Sequence, residues 1–133
     1  MNLHDLYTDP QMWGLPYQLL KEREPHQNIS HRAMPTWEQH CAFIRSKPYD
    51  AWYWFNSPAQ FEAGCIYVTK RREIGIAVLK KHRGQGLARE AVLEVMRRHP
   101  GRLLANINPD NEPSKRLFAS IGFSHLQVTY AHE

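Results

Sequence analysis

Two spacings of apolar residues alternate along the chain and predict both strands and helices. Three extended runs, rich in aromatic or β-branched residues and separated by turn residues, predict a three-stranded meander. These runs are Ala51–Phe55, Phe61–Thr69 and Glu73–Leu79. After Gly86 the apolar residues recur at the spacing of one helix face instead. The residues of that face are Leu87, Ala91, Val92, Val95 and Met96.

Shorter patterns complete the predicted order of elements. Thr36 and Gln39 stand at the positions of a capping box, which predicts a helix that begins there and ends before Pro48. The other predicted elements are helices over Gln11–Arg23 and Glu112–Ser120 and strands over Leu103–Ile107 and Phe123–Tyr130, with Asn2–Tyr7 as an optional short strand. The order α-α-β-β-β-α-β-α-β predicts an α/β fold with a mixed central sheet flanked by helices.

The length and composition of the chain fit one globular domain over residues 1–133. A chain of this length can bury one core but not two. No apolar run approaches the roughly 20 residues that span a bilayer, and the N-terminus lacks the apolar stretch of a signal peptide. We therefore expect a cytoplasmic protein without a membrane partner. Cys41 and Cys65 stand apart from each other and from paired histidines, so we expect no metal site.

An excess of positive charge points to an anionic partner. The formal net charge is +4 and the pI is near 9.2. Two basic clusters, Lys70–Arg72 and Lys80–Arg83, bracket the Glu73–Leu79 strand, which suits a compact anion held near the strand ends. A nucleic-acid surface typically carries a long basic stripe with interleaved aromatic residues. We therefore expect no nucleic-acid partner, although the charge alone leaves a small nucleic-acid-binding domain as a rival interpretation.

The stretch Arg83–Ala88, which we call the glycine corner, lies between the Glu73–Leu79 strand and the helix after Gly86. Gly84 and Gly86 permit a tight turn with exposed N–H groups, and the start of the helix adds unpaired donors and a positive dipole end. This arrangement predicts a phosphate site, to which Arg83 adds charge. The pattern is neither a P-loop nor a dinucleotide fingerprint, because the P-loop lysine and the third small residue are absent.

Three segments resemble those of the GNAT superfamily of N-acetyltransferases. Arg83–Ala88 matches the Q/R-x-x-G-x-G/A signature, which wraps the pyrophosphate of coenzyme A in that superfamily. Glu73–Val78 resembles the strand that precedes the signature, and Asn111–Phe123 resembles a later motif that flanks the cofactor. The resemblance implies the GNAT acyl-CoA N-acyltransferase fold, with acetyl-CoA as cosubstrate and a primary amine that attacks its thioester directly.

The resemblance also implies roles for individual residues. Backbone groups of the strand would bind the pantetheine arm, those of the glycine corner would bind the pyrophosphate, and two polar side chains would contact the cofactor. The residues for the pantetheine arm are Ile76, Ala77 and Val78. Those for the pyrophosphate are Arg83, Gly84, Gln85, Gly86, Leu87 and Ala88. The two polar side chains are Asn111 and Ser114. A backbone N–H near Val78 would face the developing oxyanion. A bulge in the strand, eased by Gly75, is expected to free these groups.

Glu73 and Phe118 bear on proton transfer in the implied reaction. Glu73 stands where many relatives carry a carboxylate base, while a salt bridge to Arg71 or Arg72 is the alternative interpretation of this residue. Phe118 stands where many relatives carry a tyrosine that protonates the leaving thiolate. Water, Tyr130 or another hydroxyl could replace that tyrosine, or the thiolate could leave without an acid, since its conjugate thiol has a moderate pKa.

The acceptor side of the chain has the least regular pattern. Trp52 and Trp54 fall on one face of a predicted strand, where they would form a platform under a sugar or peptide. His31 is a further acceptor-side candidate, within a segment, Arg23–Phe43, that resembles the acceptor-side helices of branches acting on amino sugars or protein N-termini. We expect a nucleotide-linked amino sugar or another small amine as acceptor. A protein N-terminus and a non-catalytic acyl-CoA-binding module are the alternatives, and both a monomer and a homodimer stay open.

Overall fold

Strands and helices follow one another largely as the apolar pattern predicts. The computed structural model describes residues 1–23 and 33–132. The strands are β1 His4–Asp5, β2 Ala51–Asn56, β3 Glu62–Val68, β4 Glu73–Val78 and β5 Leu104–Ala105. The helices are α1 Gly14–Lys21, α2 Trp37–Arg45, α3 Leu87–Arg98 and α4 Glu112–Ser120, with 3-10 turns at Pro10–Met12 and Lys80–His82.

The strands form one mixed sheet in the order β1-β2-β3-β4-β5. Neighbours from β1 to β4 are antiparallel, and β5 joins the edge of β4 in parallel. Parallel pairing requires a crossover connection, and α3 lies in that connection and packs on β4. The predicted meander and the mixed sheet flanked by helices are therefore confirmed.

Each face of the sheet is covered by its own apolar core. On one face, residues of α3 and α4 pack against the sheet; the fully buried side chains there include Phe55, Ile66, Val68, Val92 and Val95. On the other face, residues of α1 and α2 pack with Trp52 and Cys65. Successive side chains of a strand point to opposite faces. The even-numbered residues of β4 therefore face α3, and Glu73, Gly75 and Ala77 face α1 and α2.

The helix starts reflect local chemistry. The predicted capping box is formed, because Thr36 Oγ1 accepts from Gln39 N at 3.2 Å and Gln39 Oε1 accepts from Thr36 N at 2.9 Å. α1 is shorter than the predicted Gln11–Arg23, since Pro10–Met12 forms a 3-10 turn before it. Among the described residues, no helix combines the length and apolar character needed to cross a membrane.

The predicted final strand over Phe123–Tyr130 is wrong. The described residues after α4 contain no strand, and β5 is shorter than the predicted Leu103–Ile107. A strand is stable only when its backbone groups are paired and one of its faces is buried. The alternating apolar side chains of this segment meet neither condition, because Leu126, Val128 and Tyr130 are exposed. The alternation is present in the sequence, but no described strand of the sheet pairs with this segment.

We predict that Phe55→Ala lowers the free energy of unfolding by about 3–5 kcal/mol, because the Phe55 side chain is fully buried in the core under α3. Phe61→Ala is the matched control, since Phe61 is 60% exposed and should change stability by less than about 0.5 kcal/mol. Urea denaturation of both variants measures the difference. Equal losses in the two variants would contradict the assignment of this core.

Candidate active site

β4 and β5 pair at only two positions and then separate. Glu73 lies opposite Leu104 and Ile74 opposite Ala105, whereas β4 continues to Val78. Beyond Ile74, no described strand pairs with this edge of β4. A gap therefore borders the second half of β4.

The register of β4 against β3 decides which backbone groups face that gap. Two hydrogen bonds show that the odd-numbered residues of this segment bond to β3; they run from Thr69 N to Glu73 O and from Leu79 N to Ala63 O, each at 2.8 Å. The N–H and C=O groups of Ile76 and Val78 consequently point to the gap. Their N–H groups have no ladder partner among the described strands, so an extended ligand could pair with them as a strand does.

The glycine corner follows β4 through the 3-10 turn Lys80–His82. Gly84 and Gly86 have φ values of +80° and +76°, which L side chains rarely adopt. Gly86 is the N-cap of α3, and no side chain caps this helix, so its first N–H groups keep their capacity to donate. A Cβ atom on either glycine would meet no atom within 4 Å, so the corner is open. Arg83 Nε donates to Val78 O at 3.2 Å and joins the corner to the end of β4.

These elements line one continuous cleft of about 1310 Å³. It extends from α1 and α2, across β4, to α3 and α4. All the predicted cofactor residues line it except Gln85; they are Ile76, Ala77, Val78, Arg83, Gly84, Gly86, Leu87, Ala88, Asn111 and Ser114. The described residues contain no group of three or more His, Cys, Asp or Glu placed to hold a metal ion.

Asn111 and Ser114 lie at the start of α4 and line the cleft. Asn111 Oδ1 accepts from Ser114 N at 3.3 Å and caps the helix. This bond uses the amide oxygen, whereas the NH₂ group of the same side chain is a separate donor. Helix capping and ligand contact are therefore compatible roles for Asn111.

Glu73 lies in the cleft at the beginning of β4 and is held by two neutral donors. Thr69 Oγ1 donates to Glu73 Oε1 at 3.2 Å, and Asn106 Nδ2 donates to Glu73 Oε2. The alternative salt bridge to Arg71 or Arg72 is absent from the ion pairs of the described residues. Arg72 instead donates to the carbonyl oxygens at the end of α3 and beyond it, namely those of His99, Pro100 and Arg102. Among the described residues, the Glu73 carboxylate is thus oriented by neutral donors and has no cation in direct contact.

Gly75 does not form the expected bulge. The β3–β4 register is continuous from Val68↔Ile74 to Gly64↔Val78, and the gap arises from the departure of β5. A Cβ on Gly75 would overlap the ring and hydroxyl of Tyr67, its partner on β3. The glycine is therefore needed for the close approach of the Tyr67 ring.

Phe118 is buried, with 4% exposure, and packs against Phe123 at a ring-centroid distance of 5.0 Å. Tyr130 is 92% exposed and does not line the cleft, so it cannot supply a proton there in this arrangement. The hydroxyl groups of the described cleft lining belong to Tyr49, Tyr67, Thr69 and Ser114.

The structure does not bring Trp52 and Trp54 together in the cleft. Trp52 lines it, but Trp54 lies opposite His4 of β1, stacks on that ring at 4.3 Å and donates Nε1 to Asp9 Oδ2 at 2.8 Å. Pairing with β1 at this position occupies Trp54. His31, the other acceptor-side candidate, lies outside the described residues.

Sequence reasoning missed most of an aromatic surface that lines the acceptor side of the cleft. We call this surface the aromatic wall; it consists of Phe43, Tyr49, Trp52 and Tyr67. These residues come from α2, the loop after it, β2 and β3. The available signal was strand alternation, which places Tyr67 on the same face of β3 as Cys65.

The cleft combines a strand edge that has no described ladder partner with a glycine-bounded helix start that no side chain caps. This arrangement suits an extended ligand with a phosphate group. Over residues 1–124 the chain matches the family of acetyltransferase (GNAT) domains. The protein belongs to this GNAT acetyltransferase family. No curated protein sequence matches the chain.

Solved structures share the fold at low sequence identity. A protein of Bordetella pertussis assigned to the GnaT family of acetyltransferases has a TM-score of 0.74 and 23% identity, covering 96% of this chain and 87% of that one. The spermidine N-acetyltransferase SpeG of Vibrio cholerae, as its N152L mutant, has a TM-score of 0.69 and 14% identity, covering 95% and 80%. The yncA protein of Salmonella typhimurium, solved with its cofactor acetyl-CoA, has a TM-score of 0.67 and 17% identity, covering 93% and 80%.

We predict that Gly86→Val abolishes the rise in melting temperature that coenzyme A produces in the unchanged protein. A β-branched side chain at φ +76° distorts the corner and covers its N–H groups. Gly122→Val is the matched control, because Gly122 has φ +98°, open space around it and no place in the cleft lining. A normal coenzyme A shift in Gly86→Val, measured by thermal denaturation, would refute the location of the phosphate site.

We predict that Gly75→Ala and Tyr67→Ala are energetically coupled by about 1 kcal/mol or more, since the added methyl group displaces the Tyr67 ring only when that ring is present. Urea denaturation of both single variants, the double variant and the unchanged protein gives the coupling free energy. Strictly additive losses in the free energy of unfolding would show that the position of the Tyr67 ring does not require a glycine at residue 75.

Proposed function

We propose that this protein transfers the acetyl group of acetyl-CoA to the nitrogen of a small primary amine. The observation that carries the proposal is the separation of β5 from β4, which leaves the Ile76 and Val78 N–H groups without a ladder partner among the described strands, close to the glycine corner. Family membership, and the solved relative that carries acetyl-CoA, support the choice of cosubstrate. The free cysteines Cys41 and Cys65 fit a reducing compartment, and we place the reaction in the cytoplasm.

Different residues of the cleft would bind different parts of the cosubstrate. The free edge of β4 would pair with the amide groups of pantetheine through Ile76, as a neighbouring strand would. The N–H groups of the glycine corner and the first turn of α3 would bind the pyrophosphate, with the Arg83 guanidinium adding positive charge. Asn111 would donate from its side-chain amide across the cleft.

Acetyl-CoA supplies the activated thioester carbonyl. Transfer would form a C–N bond to the amine and break the C–S bond of the thioester, so that coenzyme A departs with its sulfur as the leaving group. The Val78 N–H points to the gap and would donate to the carbonyl oxygen as negative charge develops on it. Such a donor is fixed in place by the β3–β4 ladder before the reaction begins. Fixed donors of this kind contribute about 3–4 kcal/mol to transition-state stabilisation in acyl transfer.

Glu73 would remove the proton of the incoming amine. A primary amine is mostly an ammonium ion near pH 7, with an ordinary pKa of about 10, so it must lose a proton before it can attack. The donors from Thr69 and Asn106 hold the carboxylate in a fixed orientation and leave further lone pairs on its oxygens. Proton transfer would be direct or through one water.

Phe118 has no hydroxyl group that could protonate the departing sulfur. We propose that coenzyme A leaves as a thiolate and is protonated afterwards, because a thiol with a pKa of about 8.5 is a tolerable leaving group. This step then demands nothing from the buried Phe118 ring except packing.

We predict that Glu73→Gln lowers kcat at pH 7 by about 100-fold, because the amide cannot accept the ammonium proton. The residual rate should rise with pH up to the pKa of the amine, as the neutral amine becomes abundant. Glu62→Gln is the control, since Glu62 is an exposed acid of β3 outside the cleft lining. Release of thiol from acetyl-CoA, followed against pH with the best amine of a panel, measures the effect.

Two results would count against this account. An unchanged pH profile in Glu73→Gln would remove Glu73 from the proton-transfer step. A coenzyme A thermal shift without thiol release from any amine in the unchanged protein would favour a non-catalytic acyl-CoA-binding module, in which Phe118 needs no hydroxyl.

A further inference from the structure

The aromatic wall is a closely packed surface. Tyr49 and Tyr67 stack with ring centroids 4.0 Å apart and planes 6° apart. Trp52 meets Tyr49 edge-on at 4.8 Å, and Phe43 meets Tyr49 edge-on at 5.8 Å. Tyr7 fixes the loop that carries Tyr49: the Tyr49 N–H donates to the Tyr7 hydroxyl at 2.9 Å, and that hydroxyl donates to Tyr49 O at 3.0 Å. A surface held in this way offers apolar contact without a large ordering cost.

The wall adjoins the carboxylate that we assign as the base. The Tyr67 ring lies against Gly75, and Glu73 is two residues earlier on the same face of β4. That separation is about 6.6 Å along a strand. An amino group beside Glu73 would therefore have its carbon skeleton against the aromatic rings.

The charges of the cleft favour a single ammonium group. Among the described lining residues, Glu73 is the one acidic side chain, whereas Arg23, Arg83 and Arg89 are cations. Glu73 can accept the proton of one ammonium group, and the rings of the aromatic wall can pack against the carbon skeleton that carries it. A second ammonium on the same molecule would lose water without meeting a second carboxylate among the described lining residues.

We infer that the acceptor is a monoamine whose primary amino group is carried on an aromatic or alkyl body. This inference rests on the proposed acetyl transfer and narrows its acceptor class. A polyamine brings surplus positive charge into a cleft with one described carboxylate. An amino sugar brings hydroxyl groups that the rings of Phe43, Trp52 and Tyr67 largely cannot satisfy, so their desolvation weakens binding.

An acceptor panel tests the class directly. Thiol release from acetyl-CoA is measured with 2-phenylethylamine, hexylamine, 1,6-diaminohexane, glucosamine and spermidine. Hexylamine and 1,6-diaminohexane differ essentially by one ammonium group, so their comparison isolates the second charge. We expect kcat/KM for hexylamine to exceed that for the diamine by about tenfold or more, and 2-phenylethylamine to exceed glucosamine by a similar factor.

A variant locates the preference on the wall. Phe43→Ala should raise KM for 2-phenylethylamine about tenfold with kcat within about twofold, because it removes apolar contact from bound substrate without touching the reacting atoms. Trp37→Ala is the matched control on α2: Trp37 is 44% exposed, Phe43 is 41% exposed, and only Phe43 lines the cleft. KM should be unchanged in the control.

The outcomes separate the acceptor class from the proposed function. Preference for spermidine, 1,6-diaminohexane or glucosamine overturns the inference and leaves acetyl transfer intact. An equal KM for 2-phenylethylamine in Phe43→Ala and the unchanged protein also overturns it. If coenzyme A raises the melting temperature but none of the five amines is acetylated, the inferred acceptor class is wrong and the cofactor site is still supported. If coenzyme A does not raise the melting temperature, the proposed function itself is wrong.

Discussion

The structure of the site depends on one unmet requirement of β-sheet chemistry. Every strand carries N–H and C=O groups that need partners, and β4 has partners on one edge along its whole length but on the other edge for only two residues. In an ordinary sheet such an edge would be covered or would invite another chain. Here it borders a cleft whose far end is the glycine corner, so the unpaired groups are available to a ligand that resembles a strand at one end and carries phosphate at the other.

The two-residue period of β4 places groups with different roles on different sides of the strand. Its side chains divide between the core under α3 and the acceptor side under α1 and α2, while the backbone of Ile76 and Val78 faces the gap in the plane of the sheet. In the proposed reaction, one six-residue strand would serve packing, cosubstrate binding and proton transfer. Gly75 belongs to this scheme because its missing side chain allows Tyr67 to cross β4 between Glu73 and the glycine corner.

The parts that the sequence predicted well are those fixed by local rules. Residues 83–88 carry their own backbone signal, since two glycines before an amphipathic helix permit the positive φ angles of a tight turn. The meander follows from alternation. The final strand failed because alternation describes the side chains, whereas a strand also needs a partner along its edge, which Leu126 and Val128 do not find. The bulge at Gly75 failed for a related reason, because the gap is made by β5, which is distant in sequence.

Most of the aromatic wall could not be predicted from the sequence, although the sequence pattern assigns Trp52 to the acceptor side. Phe43 and Tyr67 are brought to one surface only by the packing of α2 on the sheet, and the loop that holds Tyr49 is fixed by a hydroxyl 42 residues away. The orientation of Glu73 by Asn106, which follows β5, is likewise a contact between residues 33 positions apart in the sequence. Contacts of this kind depend on the tertiary fold, and local sequence patterns do not predict them.

The most direct test of the central claim is an NMR titration of the ¹⁵N-labelled protein with coenzyme A. The account predicts that the amide signals of Ile76, Val78, Gly84 and Gly86 move together with one dissociation constant, and that hydrogen exchange at Val78 slows when the ligand is bound. Saturation with coenzyme A that leaves the Ile76 and Val78 amides unmoved, with exchange as fast as in the free protein, would contradict it.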